Sequence, residues 1–371
     1  EIRLSLVGSE MCIRDRSMIM NHESLIATKA RRVRTVAPKD ALMEFGLRRA
    51  QGHSAGLWGA RAAMIGGFNG TSNVEAGKRF GIPVLGTMAH SWVMSFDEEI
   101  DAFREYVRQY HDNLILLADT YNVLEMGVPH AIQVFKELKE EGRLPGKYGI
   151  RIDSGDIAYL SQEATRMFTE AGFPDAIISG SNDLDEYTIQ SLKAQGCTVT
   201  SWGVGTKIIT ADGTSALGGV FKMAVKEADG KEVPVMKFSN DVEKMTNPGI
   251  KTVYRFYKKD TGKMITDLVC LHDEKAADGG DFTLVTESAK WRRKELKAGT
   301  YTVEELLKPV VENGRNLPLP ALSEIIRYAD KQMDTLWPEY TRLLNPDLME
   351  INLSDKLQTL KSELIRRELG E

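Results

Sequence analysis

Cysteine is scarce in this chain, and no long apolar run interrupts it. The three cysteines, Cys12, Cys197 and Cys270, are far apart in a sequence of 371 residues. They have neither the spacing of metal ligands nor the even number of a disulfide framework, which favours a reducing compartment. No apolar stretch reaches the length of a membrane span, and the sequence shows no signal-peptide pattern. We therefore expect a cytoplasmic protein with no membrane partner.

An excess of positive charge is also absent. The formal net charge is -5, and the sequence pI is about 5.9. Two short basic clusters, at residues 29–34 and 291–294, are better explained as solvated helix faces than as a nucleic-acid surface. These features argue against nucleic acid as a partner. With 42% apolar residues, the chain can bury the core of one large domain or of two.

The first sixteen residues do not share the pattern of the rest. Residues 1–16 show no clean periodicity, and the sequence changes in character near Met18. We interpret this segment as a non-native or junction segment, and we expect the natural N-terminus to be missing. The fold is therefore predicted from residue 17 onward.

The middle of the sequence alternates strands with helices. Short apolar runs predict strands at residues 82–85, 114–118, 149–153, 176–179 and 197–202. Apolar residues recur between them at helical spacing, and Gly142 and Gly172 follow two of the predicted helix ends. Repeated βα units with apolar strands are typical of a parallel sheet covered by helices. We expect an α/β fold with the active site in residues 17–225.

Polar residues and glycines gather after each predicted strand. These positions include Thr87 and His90, Asp119 and Thr120, residues 153–156, residues 181–183 and residues 203–207. Barrels and open parallel sheets both place their active sites at the carboxyl ends of strands. Five strand ends agree, and we favour an irregular (β/α) barrel over a doubly wound sheet. The sequence leaves the closure of the sheet open.

The character of the sequence changes beyond Gly218. Residues 219–225 predict a strand, and residues 253–257 and 264–270 predict a hairpin around a turn at 259–262. We expect a β-rich extension at residues 226–300. Residues 301–371 are predicted to be a helical C-terminal part, with a capping box at 302–305 and an amphipathic helix at 353–369.

The loop from Gly86 to Ser91 is the most informative stretch. An imidazole can act as nucleophile or base, and hydroxyls and loop amides can hold oxyanions, which indicates phosphate chemistry at His90. The same histidine could instead cap the following helix. Asp153 and Asp156 supply paired carboxylates that could bind a sugar's hydroxyls or a magnesium ion.

Other candidate groups suit a flat anionic ring and phosphates. Gly203 and Gly205 offer main-chain amides to a phosphate, and Thr206 adds a hydroxyl, although the third glycine of a dinucleotide-binding motif is absent. Phe45 provides an aromatic face, and the pair Arg48 and Arg49 provides guanidinium groups. Phe45 could equally be a core residue.

These residues carry a resemblance to a known family. The motifs at 44–52, 68–73, 86–91, 151–156, 181–183, 202–206, 217–220 and 336–339 occur in the order and spacing of the nicotinate phosphoribosyltransferase family. The resemblance covers nearly everything after residue 18. It implies a type II phosphoribosyltransferase fold, which is an irregular α/β barrel plus a second α+β domain, incomplete here. It also implies transfer of phosphoribose to nicotinate, coupled to hydrolysis of ATP, in NAD biosynthesis by salvage.

The resemblance also implies roles for individual residues. His90 matches a histidine that ATP phosphorylates, and Thr87 and Arg151 match positions that contact nicotinate. Phe45 resembles the ring-stacking aromatic, Arg48 or Arg49 the phosphate clamp, and Thr206 a contact of the phosphoribosyl donor. From the same motifs we expect substrate contacts at Ser154, Gly155, Asn182, Gly203 and Gly205, with Asp153 and Asp156 in catalysis. Phosphoribosyl pyrophosphate, ATP and Mg²⁺ are the implied ligands, and a homodimer the implied assembly.

Ser72 predicts which pyridine the site accepts. Relatives that use nicotinamide resemble this sequence here but carry an aspartate, which can accept hydrogen bonds from an amide. An aspartate facing the carboxylate of nicotinate would be a like-charge contact in a partly desolvated site. Serine removes that repulsion and can donate a hydrogen bond. We therefore predict the acid over the amide as substrate.

Three alternatives stay open at this point. Family members begin with a segment whose tyrosine stacks on nicotinate across a dimer interface, and we find no such segment in the sequence. The chain could therefore be a fragment that folds, dimerises or binds phosphate ligands without turnover. Nicotinamide phosphoribosyltransferase is the second alternative, which Ser72 disfavours. Quinolinate phosphoribosyltransferase is the third, and its site would need a denser basic lining.

Overall fold

The chain forms two compact units. The computed structural model describes residues 2–240, 244–276, 280–286 and 289–370. The first unit ends at Gly218, and the second begins at Gly219. Each unit has its own sheet and its own core.

The first unit is built on a six-stranded parallel sheet. Its strands are β1 (Ala41–Glu44), β2 (Gly70–Thr71), β3 (Leu114–Leu117), β4 (Tyr148–Ile152), β5 (Ile177–Gly180) and β6 (Ser201–Val204). Their spatial order is β2-β1-β6-β5-β4-β3, and every neighbouring pair is parallel. The sheet curls into half of a barrel, which confirms the α/β prediction of an irregular barrel.

Helices precede, connect and follow the strands of this sheet. They are α1 (Ile2–Val36), α2 (His53–Ile65), α3 (Val74–Phe80), α4 (His90–Val93), α5 (Glu99–Gln109), α6 (Val128–Glu140), α7 (Ile157–Glu170), α8 (Glu186–Ala194) and α9 (Thr206–Ile209). A π-helical turn at Val123–Gly127 leads into α6. Because all neighbouring strands are parallel, their carboxyl ends share one edge of the sheet.

Residues 2–16 continue the same helix as residues 17–36, and the non-native or junction origin of residues 1–16 stays a prediction. One prediction near the start of the chain needs correction. Residues 82–85, predicted as a strand, contribute only an isolated bridge between Thr71 and Val84. Pro83 has no amide hydrogen to donate, which limits this segment to marginal pairing.

An aromatic cluster fills the space between the sheet and its helices. The Phe135 side chain is fully buried on α6, and its ring centroid lies 5.0 Å from that of Tyr148 on β4. Phe168 and Phe173 lie 6.1 and 6.2 Å from it, at the end of α7 and just after it. Tilted and edge-on aromatic pairs at these distances add to the free energy gained by burial.

We expect the Phe135→Ala substitution to destabilise the chain by about 3–5 kcal/mol, because it removes a large buried ring and leaves a cavity. The free energy of unfolding, measured by urea denaturation with circular dichroism, tests this. Tyr159→Ala is the control, since that ring on α7 is 55% exposed and its loss should cost little. Equal losses in the two variants would contradict this description of the core.

The second unit is an α+β structure, as predicted. Its strands are β7 (Val225–Ala228), β8 (Lys231–Pro234), β9 (Lys251–Lys258), β10 (Met264–Leu271), β11 (Phe282–Thr286), β12 (Ala289–Leu296), β13 (Tyr301–Glu305), β14 (Val311–Glu312), β15 (Arg315–Asn316) and β16 (Ile351–Leu353). Its helices are α10 (Leu322–Thr335) and α11 (Asp355–Leu369). The main sheet has the order β12-β11-β16-β10-β9-β13, and a buried cluster that includes Phe256, Leu268 and Tyr301 packs on it.

The predicted boundary between a β-rich part and a helical part at residue 301 is not seen. The predicted hairpin is confirmed as β9 and β10, but the predicted capping box at 302–305 is wrong, because these residues form β13 beside β9. The predicted helix at 353–369 is α11, whereas Leu353 itself ends β16. The strand predicted at 219–225 is also wrong, since β7 begins only at Val225. At residues 302–305, pairing with the neighbouring strand β9 outweighed the local helical signal of the sequence.

Candidate active site

Arg151 lies at the centre of a polar cluster at the carboxyl ends of the parallel strands. Its position next to the end of β4 lets the guanidinium reach three side chains. Nη1 donates to Thr87 Oγ1 at 2.9 Å, Nε to Ser181 Oγ at 2.7 Å and Nη2 to Asp153 Oδ1 at 2.8 Å. Ser181 in turn donates to Asp153. The structure therefore brings together the predicted residues Thr87, Arg151 and Asp153, and it adds Ser181 from the end of β5.

The Asp153 carboxyl is ionised in this cluster. Burial raises its pKa, but hydrogen bonds from Ser181 and Arg151 and the positive charges of Arg151 and His90 outweigh burial. The net effect lowers the pKa of Asp153 below its usual value. The group is therefore a carboxylate at neutral pH, and it faces both a guanidinium and an imidazole.

Phe45 supplies a half-buried aromatic face beside the guanidinium. It follows β1, and Arg151 Cζ lies 5.9 Å from its ring centroid. The Phe45 ring packs against Gly203 on the neighbouring strand β6. A side chain would clash there, since a Cβ at Gly203 would be 2.6 Å from Phe45 Cδ2. A Cβ at Gly205 would be 3.1 Å from the Phe45 carbonyl oxygen. Both predicted glycines thus make room for the aromatic residue and its backbone.

His90 opens α4 with its imidazole directed at the same cluster. Nδ1 lies 3.1 Å from Thr120 Oγ1, and Nε2 lies 3.8 Å from Asp153 Oδ2 and 4.0 Å from Asp119 Oδ1. The side chain is 41% exposed, so a ligand can reach it. Ala89, not His90, is the N-cap of α4, and no side chain caps that helix. The structure therefore gives the imidazole no capping role.

Asp119 is a residue of this cluster that the sequence interpretation did not include among the site residues. Its Oδ2 accepts from the Asp153 amide at 2.9 Å and from Ser154 Oγ at 2.7 Å, while Oδ1 is buried without a hydrogen-bond partner among the described residues. Ser181 and Thr120 likewise belong to the strand-end pattern of the sequence but were not predicted as site residues. All three lie within three residues of a strand end, as Asp153 does.

Asp156 is placed differently from its predicted partner. Its carboxylate accepts from the Tyr159 amide at 3.0 Å and caps α7, and the residue is exposed. The carboxylate that contacts Asp153 in the structure is Asp119. Gly155, between Ser154 and Asp156, has a φ of +78°, so the turn before α7 uses a conformation that favours glycine.

Asn182 follows Ser181 in an uncommon backbone conformation. Its φ is +116°, which is costly for any residue with a side chain, and its Oδ1 accepts from the Asp183 amide at 2.8 Å. The side chain is exposed at the rim of the cluster. A strained residue directly after a strand is typical of functional loops.

Arg48 and Arg49 lie on a 3-10 turn at Leu47–Arg49 that follows Phe45. Both are exposed, and within the described ranges neither forms an ion pair. Thr206 is half-buried at the first position of α9, directly after Gly205. These groups stand on the segments after β1 and β6, which are adjacent strands.

Ser72 lies directly after β2 and is half-buried. Its amide donates to the Glu44 carbonyl at 3.0 Å, which ties it to the end of β1 just before Phe45. The predicted specificity residue and the predicted stacking residue therefore leave neighbouring strands of the sheet.

The described residues contain neither a preformed metal cluster nor a membrane-spanning helix. No three His, Cys, Asp or Glu side chains in that part of the chain lie where they alone could hold a metal ion. No helix within the same ranges combines the length and the apolar character that crossing a bilayer requires.

Comparison with known proteins gives one consistent result. Residues 41–275 match the model of the nicotinate phosphoribosyltransferase (NAPRTase) family, and residues 250–361 match the model of the nicotinate phosphoribosyltransferase C-terminal domain. The nicotinate phosphoribosyltransferase of Bacillus subtilis (strain 168) is 42% identical over 94% of this chain and 70% of its own length. That of Caenorhabditis elegans is 33% identical over 91% of this chain and 69% of its own.

A solved structure agrees with the sequence matches. The crystal structure of human nicotinic acid phosphoribosyltransferase superimposes with a TM-score of 0.77 and 29% identity, over 93% of this chain and 74% of that one. The family match spans the cluster around Arg151 as well as the sheet that carries it. The chain belongs to the nicotinate phosphoribosyltransferase family.

Proposed function

We propose that this chain transfers phosphoribose from phosphoribosyl pyrophosphate to nicotinate, giving nicotinate mononucleotide and pyrophosphate in NAD biosynthesis by salvage. The observation that carries the proposal is the contact set of Arg151, which joins Thr87, Ser181 and Asp153 beside the face of Phe45. A cation, an aromatic face and hydroxyl groups in one place suit a flat ring with a carboxylate. The family match supports the same substrate pair.

The pyridine ring lies on Phe45 in this proposal, with its carboxylate toward Arg151, Thr87 and Ser72. Stacking holds the ring in place, and the guanidinium and hydroxyls fix its orientation by hydrogen bonds. The ring nitrogen already has a lone pair, so it needs orientation more than deprotonation. Binding therefore supplies most of what this nucleophile requires.

The transfer itself exchanges one bond at C1 of the ribose for another. The ring nitrogen forms a bond to C1, and the bond to the pyrophosphate oxygen breaks, so that pyrophosphate leaves with the electron pair. Positive charge develops on the sugar, and negative charge develops on the leaving group. The carboxylate of Asp153 faces the positive charge on the sugar. The phosphates are bound by Arg48 or Arg49, by Thr206 and by the loop amides near Ser154, Gly155 and Asn182.

Mg²⁺ fits the carboxylates present in this cluster. Asp119 Oδ1 is a buried oxygen without a hydrogen-bond partner among the described residues, and Asp153 presents a second carboxylate. Magnesium is commonly held by one or two carboxylates together with the phosphates of a substrate. We propose Asp119 and Asp153 as its protein ligands. When bound, the ion neutralises charge on the pyrophosphate leaving group.

We propose that ATP phosphorylates His90 and that this coupling favours product formation. The imidazole is accessible, and its Nδ1 is oriented by Thr120. A phosphoryl group there would add a dianion next to the donor site and change how pyrophosphate is held.

We further propose a cytoplasmic homodimer. Cys197 and Cys270 are free thiols, which supports a reducing compartment, while the side chain of Cys12 lies outside the described part. The dimer rests on the family resemblance. Gel filtration with light scattering is expected to give twice the mass of 41.4 kDa.

Turnover of labelled nicotinate tests the proposed function. The purified chain is incubated with carboxyl-labelled nicotinate, phosphoribosyl pyrophosphate, Mg²⁺ and ATP, and the mononucleotide is separated by ion exchange. We expect labelled mononucleotide and an equal amount of pyrophosphate. A folded chain that binds the ligands without forming product would support the non-catalytic alternative instead.

The Ser72→Asp substitution is expected to lower kcat/KM for nicotinate by about 10- to 100-fold, because it places a like charge beside the substrate carboxylate. The same change should raise kcat/KM for nicotinamide, whose amide can donate to the new carboxylate. Ser191→Asp is the control, since Ser191 is exposed on α8. An unchanged preference for nicotinate in Ser72→Asp would contradict the predicted role of Ser72.

A further inference from the structure

Glu44 is a fully buried carboxyl at the end of β1, directly before Phe45. Its exposed fraction is 0%. Within the described ranges, the contacts of its carboxyl are two neutral donors, one from the backbone and one from a side chain, and no basic group forms an ion pair with it. A carboxyl buried among neutral groups costs folding free energy that two such hydrogen bonds offset only in part.

The two oxygens of this carboxyl bind segments that follow different strands. Oε1 accepts from the Gly46 amide at 2.5 Å, on the far side of Phe45. Oε2 accepts from Thr71 Oγ1 at 2.6 Å, at the end of β2. One side chain therefore links the start of the loop that carries Phe45 to the start of the loop that carries Ser72.

The hydrogen bonds of Thr71 also reach the residue after Ser72. Thr71 Oγ1 accepts from the Asn73 amide at 3.0 Å, so this hydroxyl connects the residues on either side of Ser72. The Ser72 amide donates to the Glu44 carbonyl at 3.0 Å. Three hydrogen bonds thus fix the backbone on both sides of Ser72, and two of them trace back to Glu44.

Close packing leaves this link little freedom. A Cβ at Gly46 would lie 2.8 Å from Glu44 Oε1 and 2.5 Å from Ile209 Cβ. The Thr71 side chain is itself completely buried. Close packing and two hydrogen bonds therefore hold the Glu44 carboxyl in one position.

Burial also affects the charge of this group. Desolvation raises the pKa of Glu44, and hydrogen bonds from Thr71 and Gly46 counteract that effect only in part. A glutamine has the same shape and can accept from Gly46 while it donates to Thr71 Oγ1. A leucine has a comparable volume but can do neither.

We propose that Glu44 is a positioning residue that fixes the ring of Phe45 relative to Ser72 and thereby sets nicotinate affinity and the choice between acid and amide. This inference rests on the proposed function, because it concerns the pyridine site of that reaction. Glu44 does not touch the substrate in this account. It acts through the backbone of Gly46 and through Thr71.

Substitutions at Thr71 test the link without removing the carboxyl. Thr71→Val replaces the hydroxyl with a methyl group of similar size, whereas Thr71→Ser keeps the hydroxyl. We expect KM for nicotinate to rise about tenfold in Thr71→Val and to stay within about twofold in Thr71→Ser, with KM for phosphoribosyl pyrophosphate unchanged in both. The preference for nicotinate over nicotinamide should fall only in Thr71→Val.

Substitutions at Glu44 provide the second measurement. We expect Glu44→Gln to keep KM for nicotinate within about threefold of the wild type, and Glu44→Leu to raise it about tenfold or more. Glu186→Gln is the matched control, because Glu186 is also buried but bonds to Lys29 and Arg32 on α1, away from the pyridine site. That variant should lose thermal stability without any change in KM.

The outcomes separate this inference from the proposed function. Product formation by the wild-type chain is measured first, and its failure would count against the proposed function itself. With turnover established, equal rises of both KM values in Thr71→Val, or unchanged KM for nicotinate despite a lower Tm, would overturn the positioning role. Should Glu44→Leu not fold, the Thr71→Val and Thr71→Ser pair decides.

Discussion

The Arg151→Gln variant is expected to lower kcat/KM for nicotinate by about 10²- to 10³-fold. The guanidinium donates three hydrogen bonds, to Thr87, Ser181 and Asp153, and lies 5.9 Å from the centre of the Phe45 ring. Hydrogen bonds to charged groups contribute about 1.5–3 kcal/mol each, so the loss of the substrate contact and of one positioning contact, at about 1.5–2 kcal/mol each, gives that range. Steady-state kinetics with nicotinate as the varied substrate measures it.

Two further variants sharpen this test. Arg151→Lys keeps the charge but cannot reach three partners in one plane, so we expect it to recover only a small part of the loss. Arg166→Gln is the control, because Arg166 pairs with Glu163 and Glu170 on the exposed face of α7. If Arg151→Gln retained kcat/KM within about threefold of the wild type, Arg151 would not hold the substrate.

In the His90→Ala variant we expect labelling of the chain by γ-labelled ATP to fall to background. The imidazole is the proposed nucleophile of the cluster, and its Nδ1 lies 3.1 Å from Thr120 Oγ1. Its removal should also abolish the stimulation of mononucleotide synthesis by ATP, while nicotinate still binds. The measurement is the acid-labile label that stays on the purified protein when it is precipitated and counted under basic conditions.

The control for this prediction is another histidine of the first unit. His53 lies on α2, is 75% exposed at its side chain and bonds to Glu75, so His53→Ala should be labelled as strongly as the wild type. Label that persists in His90→Ala would place the phosphoryl group on a different residue. Label lost equally in both variants would indicate a general loss of folding.

The strands of the first unit could be predicted because their signal is local. Leu114–Leu117 are four buried apolar residues in a row, and such runs are typical of parallel strands covered on both faces. The ends of elements are set by contacts that sequence does not show. Tyr301–Glu305 is a strand because β9 lies beside it, although its residue pattern resembles a helix start.

The residues of the candidate site could be predicted in part, for the same reason. Arg151 and Asp153 end a predicted strand and His90 lies in the loop after another, and in the structure both His90 and Arg151 contact Asp153. The pairing of Asp153 with Asp119 instead of Asp156 could not be read from the sequence, because it depends on which strands are neighbours. Asp156 is near Asp153 in the chain, yet its carboxylate serves α7.

Glu44 shows the limit of sequence interpretation most clearly. A glutamate two residues before a glycine at a strand end suggests an exposed turn. The structure instead buries it completely, because β1 is flanked by β2 on one side and β6 on the other. Only the order of the strands reveals that this carboxyl connects the loops of Phe45 and Ser72.

A crystal structure of the chain with nicotinate mononucleotide tests the central claim most directly. We predict that the pyridine ring lies on Phe45, with its carboxylate within hydrogen-bond distance of Arg151 and Ser72, and its phosphate near Arg48 or Arg49 and Thr206. A mononucleotide bound elsewhere, or a ring whose carboxylate points away from Arg151, would contradict this account of the site.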